Sequence, residues 1–188
     1  PNTAYGESKL RAEEYLRRQE GFPYVILRPT GVYGPREKDY MLMFDSIRKH
    51  TDFAAGYKPQ VITFVYVTDV VQAVFLALEK DCIGRAYFLS DGHNYSSTDF
   101  SDLIIRELHA KHVLRIKAPL CILRLVTTCG EYYGRLTKRM TALNMDKYNI
   151  LRQRNWMCDI EPARRELGFQ PQVLLPEGVR LTAESLKP

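Results

Sequence analysis

This 188-residue sequence lacks any apolar run of the roughly 20 residues that a membrane-crossing helix needs. Its four cysteines, Cys82, Cys121, Cys129 and Cys158, have no C-x-x-C spacing. They sit among apolar neighbours and read as reduced thiols of a cytoplasmic protein, not as zinc ligands or a disulfide framework. Of the four histidines, only His109 and His112 are close in sequence, and no carboxylate accompanies them, so no metal site is expected. The eleven glycines are scattered. None forms a G-x-x-G-x-x-G run, the arrangement that lets a backbone approach a dinucleotide pyrophosphate at a helix N-terminus. Repeats, low-complexity segments and linkers are also absent.

No strong excess of one charge appears either. The 27 basic and 22 acidic residues leave a net charge of +5, and the two signs are interleaved, as in Arg17-Arg18-Gln19-Glu20. The densest basic stretch, Arg135-Leu136-Thr137-Lys138-Arg139, reads as a solvated helix face. Neither a nucleic acid nor a membrane is expected as a partner.

What is present is enough for one sizeable core: 45% of the residues are apolar. A helix through Leu10–Arg18 is stopped by Gly21-Phe22-Pro23. Tyr24–Arg28 follows as a strand closed by Pro29, and then a loop over Thr30–Glu37. Helix is expected over Tyr40–Arg48 and strand over Gln60–Val67, with Thr68 capping a helix from Asp69 to Lys80. Ala86–Ser90 reads as a strand, and Ser97 or Thr98 caps a helix running to about His109, with Phe100, Leu103, Ile104 and Leu108 on one stripe. Val113–Lys117 alternates as a strand does. Pro119 opens a long helix through Arg139, Pro162 a short one ended by Gly168, and Pro176 the last. Strand alternating with helix is the pattern of an α/β fold.

The chemistry begins at Tyr5 and Lys9. Four apart on a helix, they project from one face with Cβ atoms about 5–6 Å apart. An ammonium beside a phenol favours the phenolate and lowers a tyrosine pKa from its reference of about 10. That supplies a proton donor and acceptor near neutral pH, as carbonyl–alcohol redox chemistry requires. The same spacing also arises as a half-buried tyrosine beside a solvated lysine. Spacing alone leaves both readings open.

Four segments in order decide between them. Tyr5-Gly6-Glu7-Ser8-Lys9, Leu27-Arg28-Pro29-Thr30-Gly31-Val32-Tyr33-Gly34-Pro35, Phe64-Val65-Tyr66-Val67-Thr68-Asp69-Val70-Val71-Gln72-Ala73 and Glu166-Leu167-Gly168-Phe169-Gln170-Pro171 span nearly the whole sequence. Together they resemble the extended short-chain dehydrogenase/reductase family, which includes nucleotide-sugar epimerases, dehydratases and 3-beta-hydroxysteroid dehydrogenase-like reductases. The resemblance implies the C-terminal portion of an NAD(P)-binding Rossmann-type α/β fold, with a small, mostly helical substrate-binding lobe. Residues 1–188 would form a single fragment in which the two are interleaved. The family's glycine-rich turn and its upstream serine or threonine have no counterpart here, so the expectation is a fragment that is inactive alone. Such a fragment would expose a sheet edge and a helix-facing surface and self-associate.

As the resemblance implies it, Tyr5 is the general acid/base, and Lys9 lowers its pKa and holds the nicotinamide ribose of NAD or NADP. Pro29 and the backbone near Val32 line the nicotinamide ring, while Thr30, Tyr33 and Arg36 face a small-molecule substrate. Thr68 and Asp69 are assigned to helix capping. Sugar-nucleotide epimerases usually carry asparagine where this sequence has Gly31. With the apolar segment Leu120–Val126, this favours the steroid-dehydrogenase and dihydroflavonol-reductase branch, with an epimerase/dehydratase or a non-catalytic dinucleotide sensor as alternatives.

Overall fold

The computed structural model describes residues 1–137 and 144–186, with backbone alone for Arg135 and Leu136. The basic stretch Arg135–Arg139 therefore lies largely outside the described side chains. In chain order the elements are α1 (Ala4–Arg17), β1 (Ile26–Pro29), β2 (Gly31–Tyr33), α2 (Lys38–Arg48), β3 (Thr51–Ala55), β4 (Val61–Ile62), β5 (Phe64–Tyr66) and α3 (Val67–Glu79). Then come β6 (Ala86–Leu89), β7 (Tyr95–Ser96), α4 (Asp99–Glu107), β8 (Leu114–Ala118), α5 (Leu120–Thr137), α6 (Met145–Leu151), a π-helical turn (Ala163–Leu167) and α7 (Leu175–Glu184). They fall into two compact units.

The first unit comprises Pro1–Phe22, Phe53–Lys58 and Ile116–Arg154. Helix α1 starts where the Thr3 side chain accepts from the Gly6 N–H at 3.0 Å, a hydroxyl N-cap. The Arg11–Glu7 and Arg17–Glu13 pairs, at 2.9 and 2.8 Å, brace its surface. Each such exposed pair contributes about 0.3–0.5 kcal/mol. None of the helix's residues is buried. Its start is tied to α6 by the Ala4 N–H, which donates to Asp146 Oδ2 at 2.9 Å. Helix α6 packs against α5, and where the chain leaves β8 the Gly56 N–H donates to the Ala118 carbonyl at 2.8 Å.

The second unit comprises Pro23–Asp52, Pro59–Arg115 and Asn155–Pro188. Strand β1 pairs in parallel with β6, Ile26 opposite Ala86 and Pro29 opposite Leu89. Strand β2 pairs in parallel with β5, Gly31 opposite Phe64 and Tyr33 opposite Tyr66. All three residues of β5 are buried, and the two-residue period divides them. Phe64 and Tyr66 join Tyr33, Phe44, Phe100 and Ile104 in one cluster. Val65 joins Ala73, Tyr87, Leu89, Leu167 and Phe169 in the other. Burying a side chain of this size contributes about 1.5–3 kcal/mol. The predicted stripe of α4 holds: Phe100 and Ile104 are buried, and Leu103 and Leu108 pack against the same cluster.

Three expectations are corrected. The strand predicted over Gln60–Val67 is broken at Thr63, whose hydroxyl donates to the Trp156 carbonyl at 2.7 Å. Strand β4 is thereby released to pair antiparallel with β7, a two-residue strand not foreseen from sequence. Thr68 caps nothing: α3 begins at Val67, its N-cap is Tyr66 with no side-chain cap bond, and Thr68 is already helical. Asp69 is buried, and its carboxylate accepts from the Gln172 and Val173 N–H groups, both at 3.1 Å. It holds the segment that leads into α7, a longer-range task than capping.

The third correction concerns the loop predicted over Thr30–Glu37, which contains β2; Tyr33 lies on it and not in a loop. The short element after Pro162 does end at Gly168, which is left-handed at φ 74°, but it is π-helical. Helix α6 was not foreseen. On α3, Val71, Val74, Phe75 and Leu78 are exposed and form an uncovered apolar face. All four cysteines are free, as expected, but only Cys82 is buried; Cys121 and Cys129 are exposed on α5. No described helix is long and apolar enough to cross a membrane.

Candidate active site

In the first unit, the helical spacing brings Tyr5 and Lys9 together. The Lys9 ammonium lies over the Tyr5 ring, 5.3 Å from its centroid, within cation–π range. Tyr5 is 66% exposed, so its phenol is open to whatever approaches α1. Gly6, between them in sequence, lets the N-terminal residues fold close. A Cβ there would sit 2.9 Å from the Pro1 Cβ and 3.0 Å from the Thr3 hydroxyl.

The other predicted site residues lie in the second unit. Pro29 ends β1 and is exposed, at the carboxyl end of a parallel strand, where α/β sheets hold their ligands. Thr30 follows it, donating its N–H and its hydroxyl to the Leu89 carbonyl at 3.0 and 3.1 Å. Those bonds fix the backbone at the strand's end. Val32 is half-buried and packs toward the Val65 cluster.

Tyr33 is only 1% exposed. Its ring makes edge contacts with Tyr66 and Phe100 at 5.4 Å and with Phe64 at 5.9 Å between centroids. Burial drives its pKa well above the ordinary phenol value, with Asp91 adding to the effect. Tyr33 belongs to the core, contrary to its expected position facing substrate from a loop. Arg36 is exposed and left-handed, at φ 70°, just before α2. There the Glu37 carboxylate accepts the Tyr40 N–H at 2.7 Å.

Gly31 stands where close packing forbids a side chain. A Cβ there would lie 2.4 Å from the Tyr40 hydroxyl and 3.1 Å from Phe64 Cδ1. Burial, aided by Glu37 and Asp39, pushes the Tyr40 pKa up to about 12, so this hydroxyl stays protonated.

The buried Asp91 was missed in the sequence. Its oxygens accept from the His93 N–H at 2.9 Å and the Tyr95 hydroxyl at 2.6 Å, and burial raises its pKa above the usual carboxylate range. The only signal for it was the Ser90-Asp91-Gly92 turn composition after a strand. Among the described residues no group of three or more histidines, cysteines or carboxylates could hold a metal.

Parallel strand pairs with helices between them, and an exposed strand end, define a Rossmann-type α/β protein. Residues 1–89 match the model of the NAD dependent epimerase/dehydratase family, in keeping with the resemblance to the extended short-chain dehydrogenase/reductase family. The chain is 26% identical to the UDP-glucose 4-epimerase of Vibrio cholerae, over 98% of itself and 54% of that protein. It is also 26% identical to the 2-alkyl-3-oxoalkanoate reductase of Stenotrophomonas maltophilia, over 94% of itself and 56% of that protein. Among solved structures it resembles the UDP-glucose 4-epimerase of Thermotoga maritima with UDP-glucose, at a TM-score of 0.72 and 25% identity, covering 96% of this chain and 52% of that one. The chain thus spans about half the length of the relatives it matches.

Proposed function

We propose that this chain carries the proton-transfer and nicotinamide-facing part of an NAD(P)-dependent oxidoreductase that acts on a carbonyl or alcohol of a small molecule. The observation that carries the reading is the Tyr5–Lys9 pair, open to solvent on α1 with the ammonium over the ring. Tyr5 would exchange a proton between its phenol and the substrate oxygen. Lys9 would hydrogen-bond the nicotinamide ribose. The exposed Pro29 and the backbone at Val32 suit the face of a nicotinamide ring, and Thr30 and Arg36 the substrate. Tyr33, closed into the core, contributes shape and not contact. NAD or NADP, when bound, would supply the hydride acceptor or donor.

The crowding at Gly31 supports a reductase over a nucleotide-sugar epimerase or dehydratase. The asparagine usual in sugar-nucleotide enzymes would fit beside Phe64 only with displacement of the Tyr40 hydroxyl. Epimerisation is the alternative, favoured by the similarity to UDP-glucose 4-epimerases. The intact dyad speaks against a non-catalytic sensor, which has no need of it. The 188 residues alone hold no dinucleotide tightly, because none of their glycines forms the pyrophosphate-admitting run. The exposed apolar face of α3 would be covered by self-association.

The test is Tyr5→Phe in a protein that joins this chain to a glycine-rich dinucleotide turn. NAD(P)H oxidation with 3-oxo substrates, and epimerisation of UDP-glucose, would be followed in parallel. The expected result is reductase activity that Tyr5→Phe lowers by about 10²-fold or more in kcat, the scale of general acid catalysis. Activity unchanged by Tyr5→Phe would overturn the acid/base assignment, and turnover of UDP-glucose alone would replace reductase by epimerase. Micromolar binding of NAD or NADP to the 188-residue chain, measured by calorimetry, would refute the third claim.

A further inference from the structure

The second unit has an open cavity of about 380 Å³ lined by Asp91, His93, Arg164, Gln170, Pro171 and Leu174. It lies between the loop after β6 and the segment leading into α7, and none of the residues assigned above to catalysis, cofactor or substrate lines it. Its volume falls within the range of small-molecule pockets, about 300–1,000 Å³.

Arg164 supplies the charge. It stands on the π-helical turn, a distortion that often marks functional positions. One guanidinium nitrogen, Nη1, donates to Glu161 at 2.9 Å, and the side chain remains 43% exposed. Gly92 makes room for it: this residue is left-handed, at φ 83°, and a Cβ there would lie 2.6 Å from Arg164 Nη2. The one carboxylate in the lining, Asp91, is only 1% exposed, and its oxygens accept from the His93 N–H and the Tyr95 hydroxyl. The accessible charge of the cavity is therefore the guanidinium, while Pro171 and the exposed Leu174 make an apolar wall.

We propose that this cavity binds a small organic monocarboxylate, its carboxylate on Arg164 and its hydrocarbon body on Pro171 and Leu174. A guanidinium matches a carboxylate with two parallel N–H donors. A dianion such as phosphate suits the place less well, because Glu161 and Asp91 already stand beside the Arg164 guanidinium and would repel the second charge.

The experiment is an amide-resolved NMR titration of the full chain with hexanoate at neutral pH. Hexanamide, acetate and inorganic phosphate are titrated in parallel, and hexanoate is repeated on Arg164→Gln and Leu174→Asn. Hexanoate should give saturable shifts centred on Gly92 and His93. Hexanamide, acetate and the Arg164→Gln protein should each bind about tenfold or more weakly, a loss of one decade in Kd. Leu174→Asn should weaken hexanoate but leave acetate unchanged. The rest of each variant's spectrum reports that it is folded. The proposal is overturned if hexanoate gives no saturable shifts, if hexanamide binds as well, if Arg164→Gln keeps full affinity, or if phosphate binds more tightly than hexanoate.

Discussion

Tyr33→Phe removes a single oxygen from the middle of the aromatic cluster, and the surroundings of that oxygen predict a gain in stability. The hydroxyl is buried and has no hydrogen-bond partner among the described residues. Burial keeps it protonated, so it is a donor without an acceptor. A buried, unsatisfied polar group costs about 1–3 kcal/mol. The void left by deleting one oxygen is smaller than a methyl group, and filling losses of that size stay near or below about 1 kcal/mol. The difference is a gain of about 1 kcal/mol, or roughly 2–4 °C in Tm for a chain of this length. Urea unfolding followed by the fluorescence of Trp156, with thermal unfolding beside it, measures both. A Tyr33→Phe protein less stable than the parent would show that the hydroxyl is satisfied, and the reasoning would fail.

Asp69→Ala should cost about 2–4 kcal/mol in the same unfolding assay, because the Gln172 and Val173 N–H groups lose their buried, charged acceptor at once. Gly31→Ala should destabilise by about 1–3 kcal/mol through overpacking against Tyr40 and Phe64, and a neutral result would mean that Tyr40 yields freely. Asp91 gives a pH test. Its folded pKa is raised above the unfolded value, so the folded state holds the proton more tightly, and stability falls as pH rises from the unfolded carboxylate range through the folded pKa. Stability curves of the parent and Asp91→Asn should therefore differ in slope across that window, the parent losing more as pH rises. Parallel curves would refute the assignment.

The helices other than α6 were legible because their signals are local. Thr3 caps α1, Pro162 and Gly168 bracket the π-helical turn, and Pro176 lies in the first turn of α7. Strands β4 and β7 were not, because a two-residue strand is set by a partner distant in sequence. The break at Thr63 depends on a carbonyl 93 residues away. Thr68 misled for a related reason: a hydroxyl before a helical pattern looks like a cap, yet the helix starts one residue earlier, where β5 ends. Of the candidate site, the Tyr5–Lys9 pair was readable from helical spacing, and the exposed Pro29 from strand punctuation. Tyr33 was not, because a Gly-Val-Tyr-Gly run suggests a loop and only the pairing of β2 with β5 turns the ring inward. Asp91 and Arg164 meet at one cavity through tertiary contacts that no spacing records.

Helix α1 buries none of its residues, and that has a kinetic consequence. Besides its tie to Asp146, it is braced by a cap, side-chain ion pairs and the Lys9–Tyr5 contact, against a background in which a helix this short is marginal by itself. Its amides should exchange with solvent through local fraying, long before the core strands β2 and β5 open. The pitch of a helix sets how far Tyr5 stands from Lys9, but the fraction of time the pair exists depends on what packs over α1. Any molecule that docks there and quiets the fraying would raise the competent fraction without touching either side chain, so that assembly itself would act as the switch for proton transfer.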